Sequence, residues 1–493
     1  MKNKTIIQFF EWYVNPPEGL WNMVALQADN LAALGITAVW LPPAYKGSRG
    51  AASEGYDVYD IYDLGEFDQK GTIATKYGTK DAYINAVQAL QKTGLEVYVD
   101  IVLNHMGGAD ATEKVKARKV NGDNRLQFIS DEIEIEAFTK FTFPGRNGKY
   151  SDFVWDHHCF TGVDHDHATG ENIIFSIINE YGETWEEMPH DEKGNFDYLM
   201  LSDIEFRNKA VREELKRWIK WYYETVPFNG LRLDAVKHIS PAFFVEWIDF
   251  VKTEINSNIF VLGEFWLSDD LNVLLNYLDI VDNRMSLFDA PLHHNLSEAS
   301  NQYDHYDLRT IFNNTLVNAR PAFAVTFVDN HDTQPLQSLE EYTLQWFKPH
   351  GYAIILLRQT GDPCVFFPDL YGTTYTGNNK EGLTTTVEIP PLEELPALLR
   401  LRKDFAYGKQ TDYIDDAHCI GWVRHGLADK PGSGCVVLLC NSNRSEKKMH
   451  LGKEHAGKTF YDYLHKHEQV VIDEDGNGVF IVGAKSVGVW VLS

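Results

Sequence analysis

Gly230-Leu231-Arg232-Leu233-Asp234-Ala235-Val236-Lys237-His238 is an apolar strand that ends by presenting a guanidinium and a carboxylate on one face. Side chains two apart along a strand point the same way, so Arg232 and Asp234 share a face while Leu231 and Leu233 take the other. Alone, Arg-x-Asp on a strand is most simply a structural ion pair. Three further stretches run from an apolar strand into polar residues: Asp100-Ile-Val-Leu-Asn104-His105, Gly263-Glu264-Phe265-Trp266 and Phe327-Val-Asp-Asn-His331-Asp332. Four such ends point to one shared site.

Outward from that strand, apolar runs at 5–10, 36–41, 95–103, 230–236, 259–265, 284–288, 324–328 and 364–367 predict eight strands. Between them lie segments such as Val211-x3-Leu215-x2-Trp218-Ile219-x2-Tyr222, whose spacing of three and four marks one face of a helix. Eight strand-then-helix units predict an α/β fold, a (β/α)8 TIM barrel with its functional side chains at the carboxyl ends of the strands. The alternation breaks once, after the third strand, for a stretch too long to be a plain loop. That insert carries turn signals such as Pro144-Gly145 and Gly194-Asn195, and a small β-rich domain is expected there. A helical pattern at 393–405 gives way to short strands at 420–423, 435–439, 479–482 and 487–492, which predict a C-terminal all-β sandwich. The expected division is 1–104 with 208–406 as barrel, 105–207 as insert and 407–493 as C-terminal domain.

Composition narrows the partners. The chain has 493 residues and a net charge of −26, with 71 Asp+Glu against 45 Lys+Arg, which excludes binding to a phosphate backbone. No window is apolar for long enough to span a membrane. The start, Met1-Lys-Asn-Lys, is charged, but the run at 5–10 is interrupted by Gln8 and meets Glu11, so it reads as a strand and not a secretory signal. Five cysteines, odd in number and without CxxC spacing, fit a reduced, cytoplasmic setting. Cys435 and Cys440, five apart on one strand, would face opposite sides. A monomer is expected.

Asp234 and Glu264 end consecutive strands, so a barrel would aim both into one pocket. Two such carboxyl groups are the minimum for cleaving a glycosidic bond with retention, one as nucleophile and one as acid/base. Asp332 adds a third carboxylate that could stabilise positive charge on a sugar ring. Arg232 would hold Asp234 ionised.

Over nearly its whole length the chain resembles the α-amylase family of glycoside hydrolases, family 13, and within it the liquefying, calcium-binding bacterial type. The resemblance rests on Asp100-x3-Asn104-His105, Gly230-x-Arg232-x-Asp234-x2-Lys237-His238, Glu264 and Phe327-Val-Asp-Asn-His-Asp332, in the family's order. It implies Asp234 as nucleophile, Glu264 as acid/base and Asp332 as transition-state stabiliser. His105 and His331 would then donate to the sugar at the cleavage point, and Tyr56 would be its stacking platform. Lys237, His238 and Trp266 would line the leaving-group side.

The same resemblance implies one calcium joining Asn104, Asp197, Asp203 and the backbone carbonyl of His238, stapling insert to barrel. Further calcium or sodium positions look eroded, with Thr161, Glu186, Glu205 and Arg207 where other ligands are expected. Asp332-Thr-Gln-Pro335 lacks the arginine of chloride-activated relatives, so no chloride is expected.

The implied activity is endo-acting, retaining hydrolysis of α-1,4-glucan: starch, glycogen or maltodextrin. An α-1,6- or exo-acting relative is the nearest rival, but Leu201-Ser-Asp203-Ile-Glu205 departs from the segment such relatives carry. A silent glucan-binding protein need not keep all three carboxylates, and this chain keeps them. Two stretches mimic metal sites. Asp473-x-Asp475-x-Asn477-Gly478 copies half an EF-hand loop but has Ala484 at its twelfth position, and reads as a hairpin turn. Asp156-His157-His158 with Asp164-His165-Asp166-His167 lacks the helical spacing of a zinc site and reads as solvated or cleft loop residues.

Overall fold

The computed structural model describes residues 3–182 and 185–493; the charged start at Met1 and Lys2 lies outside them. All eight predicted strands form, as Ile6–Gln8, Ala38–Leu41, Glu96–Ile101, Gly230–Leu233, Phe260–Gly263, Ser286–Phe288, Ala324–Phe327 and Asp362–Phe366. They close into one parallel barrel in sequence order, the first pairing with both the second and the eighth through Ile6↔Ala38 and Ile6↔Cys364. Most strands stop short of their apolar runs. Val102 and Leu103, for example, remain buried beyond the end of the third strand, so apolar sequence there marks burial in the rim.

The helices pack outside. Lys209–Thr225 is capped by Asn208, whose side chain accepts from the Ala210 amide at 2.9 Å, and it buries the predicted stripe of Val211, Leu215, Trp218, Ile219 and Tyr222. Trp218 Nε1 donates to the Ile61 carbonyl at 2.7 Å, fixing this helix against the loop after the second strand.

Between the third and fourth strands the insert folds as a six-stranded sheet in the order His105–Met106, Ser202–Ile204, Phe160–Val163, Phe175–Ile177, Ala111–Lys119, Ile133–Lys140. Its first two members are the segments that leave and re-enter the barrel. Asp203 pairs with His105, so the insert's last strand lies against residues that end the third barrel strand.

After the helix Leu395–Asp404 comes a second six-stranded sheet, whose central strands are Cys419–Arg424, Cys435–Cys440 and Val487–Leu492. One face packs on the barrel through Ile420, Trp422, Val437, Leu439 and Val489; the other, with Val436, Leu438 and Trp490, is covered by the two-stranded antiparallel sheet of Ser445–His450 and Asn477–Val482. All five cysteines are buried and unpaired, and Cys435 and Cys440 join clusters on opposite faces. Among the described residues no helix is long and apolar enough to cross a membrane.

Candidate active site

The fourth strand ends at Leu233, yet the Asp234 amide still bonds the Ile101 carbonyl at 2.9 Å. Ala235 then takes a left-handed conformation, φ 49°, which swings the chain off the barrel and leaves Asp234 at its rim. For a residue other than glycine that conformation costs roughly 1–2 kcal/mol. On the next strand the Glu264 amide bonds Leu233 O at 2.9 Å, so the two carboxylates emerge side by side.

Arg232 joins them. Its Nη1 donates to Asp234 Oδ1 at 2.7 Å and to Asp100 Oδ1 at 2.8 Å, and its Nη2 to Glu264 Oε2 at 2.6 Å. Carboxylates held on neighbouring nitrogens of one guanidinium are compatible with the ~5–5.5 Å spacing of retaining glycosidases. Asp100 in turn takes Tyr56 Oη at 2.8 Å and Trp40 Nε1 at 3.0 Å on its other oxygen. The ion pair that Arg-x-Asp suggested is therefore real, and it is part of the site.

Burial, aided by the Asp332 and Asp234 charges and opposed by Arg232, pushes the Glu264 carboxyl up to about 8. Asp332 is pushed up to about 6, by burial first and then by Asp234, against Arg232 and a hydrogen bond with Glu264. Burial works against the Arg232 charge, but Asp100, Glu264 and Asp234 outweigh it and hold the guanidinium cationic. At neutral pH the arrangement keeps a proton on Glu264.

Around these groups lies an aromatic wall. The Tyr56 ring stacks on His331, centroids 5.1 Å apart, and on Trp12 at 5.7 Å with only 8° between planes. His331 is neutral, because burial and Arg232 lower its pKa far below the usual value. Its Nδ1 accepts from Gln8 Nε2 at 3.1 Å, which leaves the ring proton on Nε2, 3.4 Å from Asp332 Oδ2. His105 is engaged at both nitrogens, Nε2 with the Tyr56 carbonyl at 2.8 Å and Nδ1 with Asn104 Nδ2 at 3.3 Å, so a sugar hydroxyl would have to share a bond already made. Lys237 pairs with Glu192 of the insert and donates to the Trp266 carbonyl at 3.3 Å; His238 Nδ1 bonds Phe196 O at 2.6 Å.

Sequence reasoning missed Gln8, Trp12, Trp40 and Glu192. The strand-end rule already in use could have found Trp12, since it follows the first barrel strand. Glu192 carried no such signal, lying in an irregular loop 45 positions from its partner.

Residues 14–389 match the alpha amylase catalytic domain family, and 435–491 the alpha-amylase C-terminal family. The chain belongs to the alpha-amylase family. It is 47% identical to the cytoplasmic alpha-amylase of Escherichia coli K12, covering 100% of this chain and 99% of that one. It is also 47% identical to an alpha-amylase of Geobacillus stearothermophilus, covering 99% and 87%. A solved alpha-amylase of Geobacillus thermoleovorans in complex with acarbose shares the fold, with TM-score 0.64 at 18% identity over 100% of this chain and 98% of that one. As an alpha-amylase, the chain hydrolyses internal α-1,4-glucosidic bonds of starch-like glucans.

A second polar cluster joins insert and barrel in this amylase. Asp197 and Asp203 are 3% and 1% exposed, and Glu186 and Glu205 are buried beside them. Burial raises both aspartates well above the carboxylate range; Asp203 adds to the shift of Asp197, and Glu186 and Glu205 to both. Asp203 takes Asn104 Nδ2 at 3.1 Å on one oxygen and Thr161 Oγ1 on the other. Asn104 Oδ1 is buried with no hydrogen-bond partner. Arg207 sits across Glu205 through Nε at 2.7 Å and Nη2 at 2.6 Å. Elsewhere, Asp473 accepts the Asn477 amide at 2.8 Å and the Asp475 amide at 3.0 Å, closing a tight turn; the expected hairpin does not form, because the flanking strands Val470–Val471 and Asn477–Val482 pair with other strands in two different sheets.

Proposed function

We propose that this amylase works by double displacement, with Asp234 as nucleophile and Glu264 as acid/base. The observation that carries the reading is the Arg232 guanidinium shared by Asp234 and Glu264 at adjacent strand ends. Glu264, protonated at neutral pH, gives its proton to the leaving glycosidic oxygen as Asp234 Oδ attacks the anomeric carbon. Asp332 faces the positive charge that develops on the ring. Glu264 then takes a proton from water, which attacks the glycosyl–Asp234 ester and frees the second product. Tyr56 supports the sugar at the cleavage point, with His331 Nε2–H as a donor beside Asp332. Lys237, His238 and Trp266 line the leaving-group side, with Glu192 holding the Lys237 ammonium.

The residues at the insert junction fit calcium. An orphaned amide oxygen on Asn104 and two buried aspartates form an all-oxygen donor set, which a hard cation prefers, and the His238 carbonyl would complete the tie to the barrel. The ion would be structural, fixing insert to barrel. Arg207 already neutralises Glu205, which favours one calcium over several.

The substrate is an α-glucan such as starch, glycogen or maltodextrin. Five unpaired cysteines and the name of the Escherichia coli relative support a cytoplasmic enzyme. The product profile from soluble starch over time tests the endo reading: long oligosaccharides appear first, and glucose or maltose alone from the first minutes would refute it.

A further inference from the structure

A third polar cluster lies in the insert, away from the catalytic carboxylates, at the tight turn His157–Cys159. There an oxygen of Asp156 and a ring nitrogen each of His157 and His158 lie within 4.8 Å of one another. The stretch lacks the helical spacing of a zinc site, but the turn brings the two rings to 4.0 Å between centroids. A tetrahedral site with metal bonds of ~2.1 Å sets its ligand atoms ~3.5 Å apart, so side-chain rotations on the order of an ångström close the set.

Two carboxylates from other segments engage the imidazoles. His157 Nδ1 lies 3.3 Å from Glu113 Oε1, and His158 Nδ1 lies 2.6 Å from Glu180 Oε2. Glu113 is itself fixed, its second oxygen accepting the His157 amide at 2.9 Å and Thr139 Oγ1 at 2.8 Å. A carboxylate that takes the Nδ1 proton leaves the Nε2 lone pair free, and this is the arrangement found behind metal-binding histidines. Asp164, His165, Asp166 and His167 do not take part. Asp164 accepts the Leu201 amide, Asp166 the Glu136 amide, and His165 bonds Asn172.

We infer that Asp156, His157 and His158 form a site for a borderline divalent cation of the zinc class, oriented by Glu113 and Glu180 and separate from the calcium cluster. Two imidazole nitrogens and one carboxylate suit Zn2+ or Co2+, whereas calcium wants oxygen throughout. The His157 and His158 side chains are 29% and 47% exposed, which leaves a way in and a fourth position for water. The site also touches the insert's return to the barrel. The His158 carbonyl accepts from Asn208 Nδ2 at 3.0 Å and the Cys159 carbonyl from the Glu205 amide at 2.8 Å, so an ion here stiffens that junction.

Co2+ titration of the full-length protein, held saturated with calcium throughout, tests the site. The expected result is one equivalent bound, with intense visible bands of a tetrahedral nitrogen and oxygen site that Zn2+ abolishes by displacement. Zn2+ should also raise the melting temperature of the calcium-loaded protein. His157→Gln with His158→Gln should lose the bands and the thermal shift, and Glu180→Gln should weaken binding about 10–100-fold. The Glu180→Gln variant, at an exposed side chain, keeps the test valid even if the double variant folds poorly. Bands no stronger than those of aqueous Co2+, or an unchanged titration in these variants, would overturn the assignment.

Discussion

Arg232 sets the chemistry of the site at the scale of single residues. One buried cation serves three carboxylates, so the negative charge exceeds the positive, and the surplus is relieved by keeping a proton on Glu264. In the proposed double displacement turnover needs that proton, so activity should fall as pH rises through the Glu264 value of about 8. A pH–rate profile of kcat/KM checks this, and an alkaline limb that persists unchanged in Glu264→Gln would assign it to another group. Glu264→Gln itself should lower kcat by roughly 10²–10⁴-fold on substrates with poor leaving groups, and by far less on activated aryl glycosides, because only the former need the proton. Trp12, stacked on Tyr56, is expected to act through binding: Trp12→Ala should raise KM for maltooligosaccharides with kcat little changed.

Where an element ends decides where a functional group points. The left-handed Ala235 turns the chain directly after Asp234, and a β-branched residue there is strained beyond what alanine tolerates. Ala235→Val should therefore lower kcat at least tenfold while the melting temperature moves by only a few degrees, read by steady-state kinetics and thermal unfolding. At the insert, excess chelator should lower the melting temperature and calcium should restore it by mass action, with a weaker response in Asp203→Asn. A melting curve indifferent to confirmed metal loss would remove the calcium from the junction. The strands were legible in the sequence because a barrel strand is buried on both faces and reads as a short apolar run; their ends were less so, since Val102 and Leu103 stay buried after the hydrogen-bonded ladder stops. That Asp234, Glu264 and Asp332 would share one site was legible because barrel geometry brings strand ends together. Contacts that depend on irregular loops, such as Lys237 with Glu192 or His158 with Glu180, leave no periodic trace.

The whole molecule is three layers of dependence: a barrel that presents the site, an insert that completes one wall, and a C-terminal sheet that braces the barrel from outside. Trp422 is fully buried in that last contact, its Nε1 donating to the Leu357 carbonyl at 3.3 Å, and His350 Nε2 meets the Cys440 carbonyl at 2.9 Å. Trp422→Ala should cost about 3–5 kcal/mol in denaturant unfolding while the folded fraction keeps its KM, because the substitution lies far from the substrate. The central claim is that Asp234 forms a covalent bond to the sugar while Arg232 and Glu264 hold it ready. A fluorinated α-glucosyl fluoride that forms the ester quickly and loses it slowly, followed by proteolysis and mass spectrometry, tests it most directly. The added glycosyl mass is expected on the peptide that carries Asp234, and on that residue; a label on Glu264 or Asp332, or turnover with no covalent adduct and inverted product, would contradict the account.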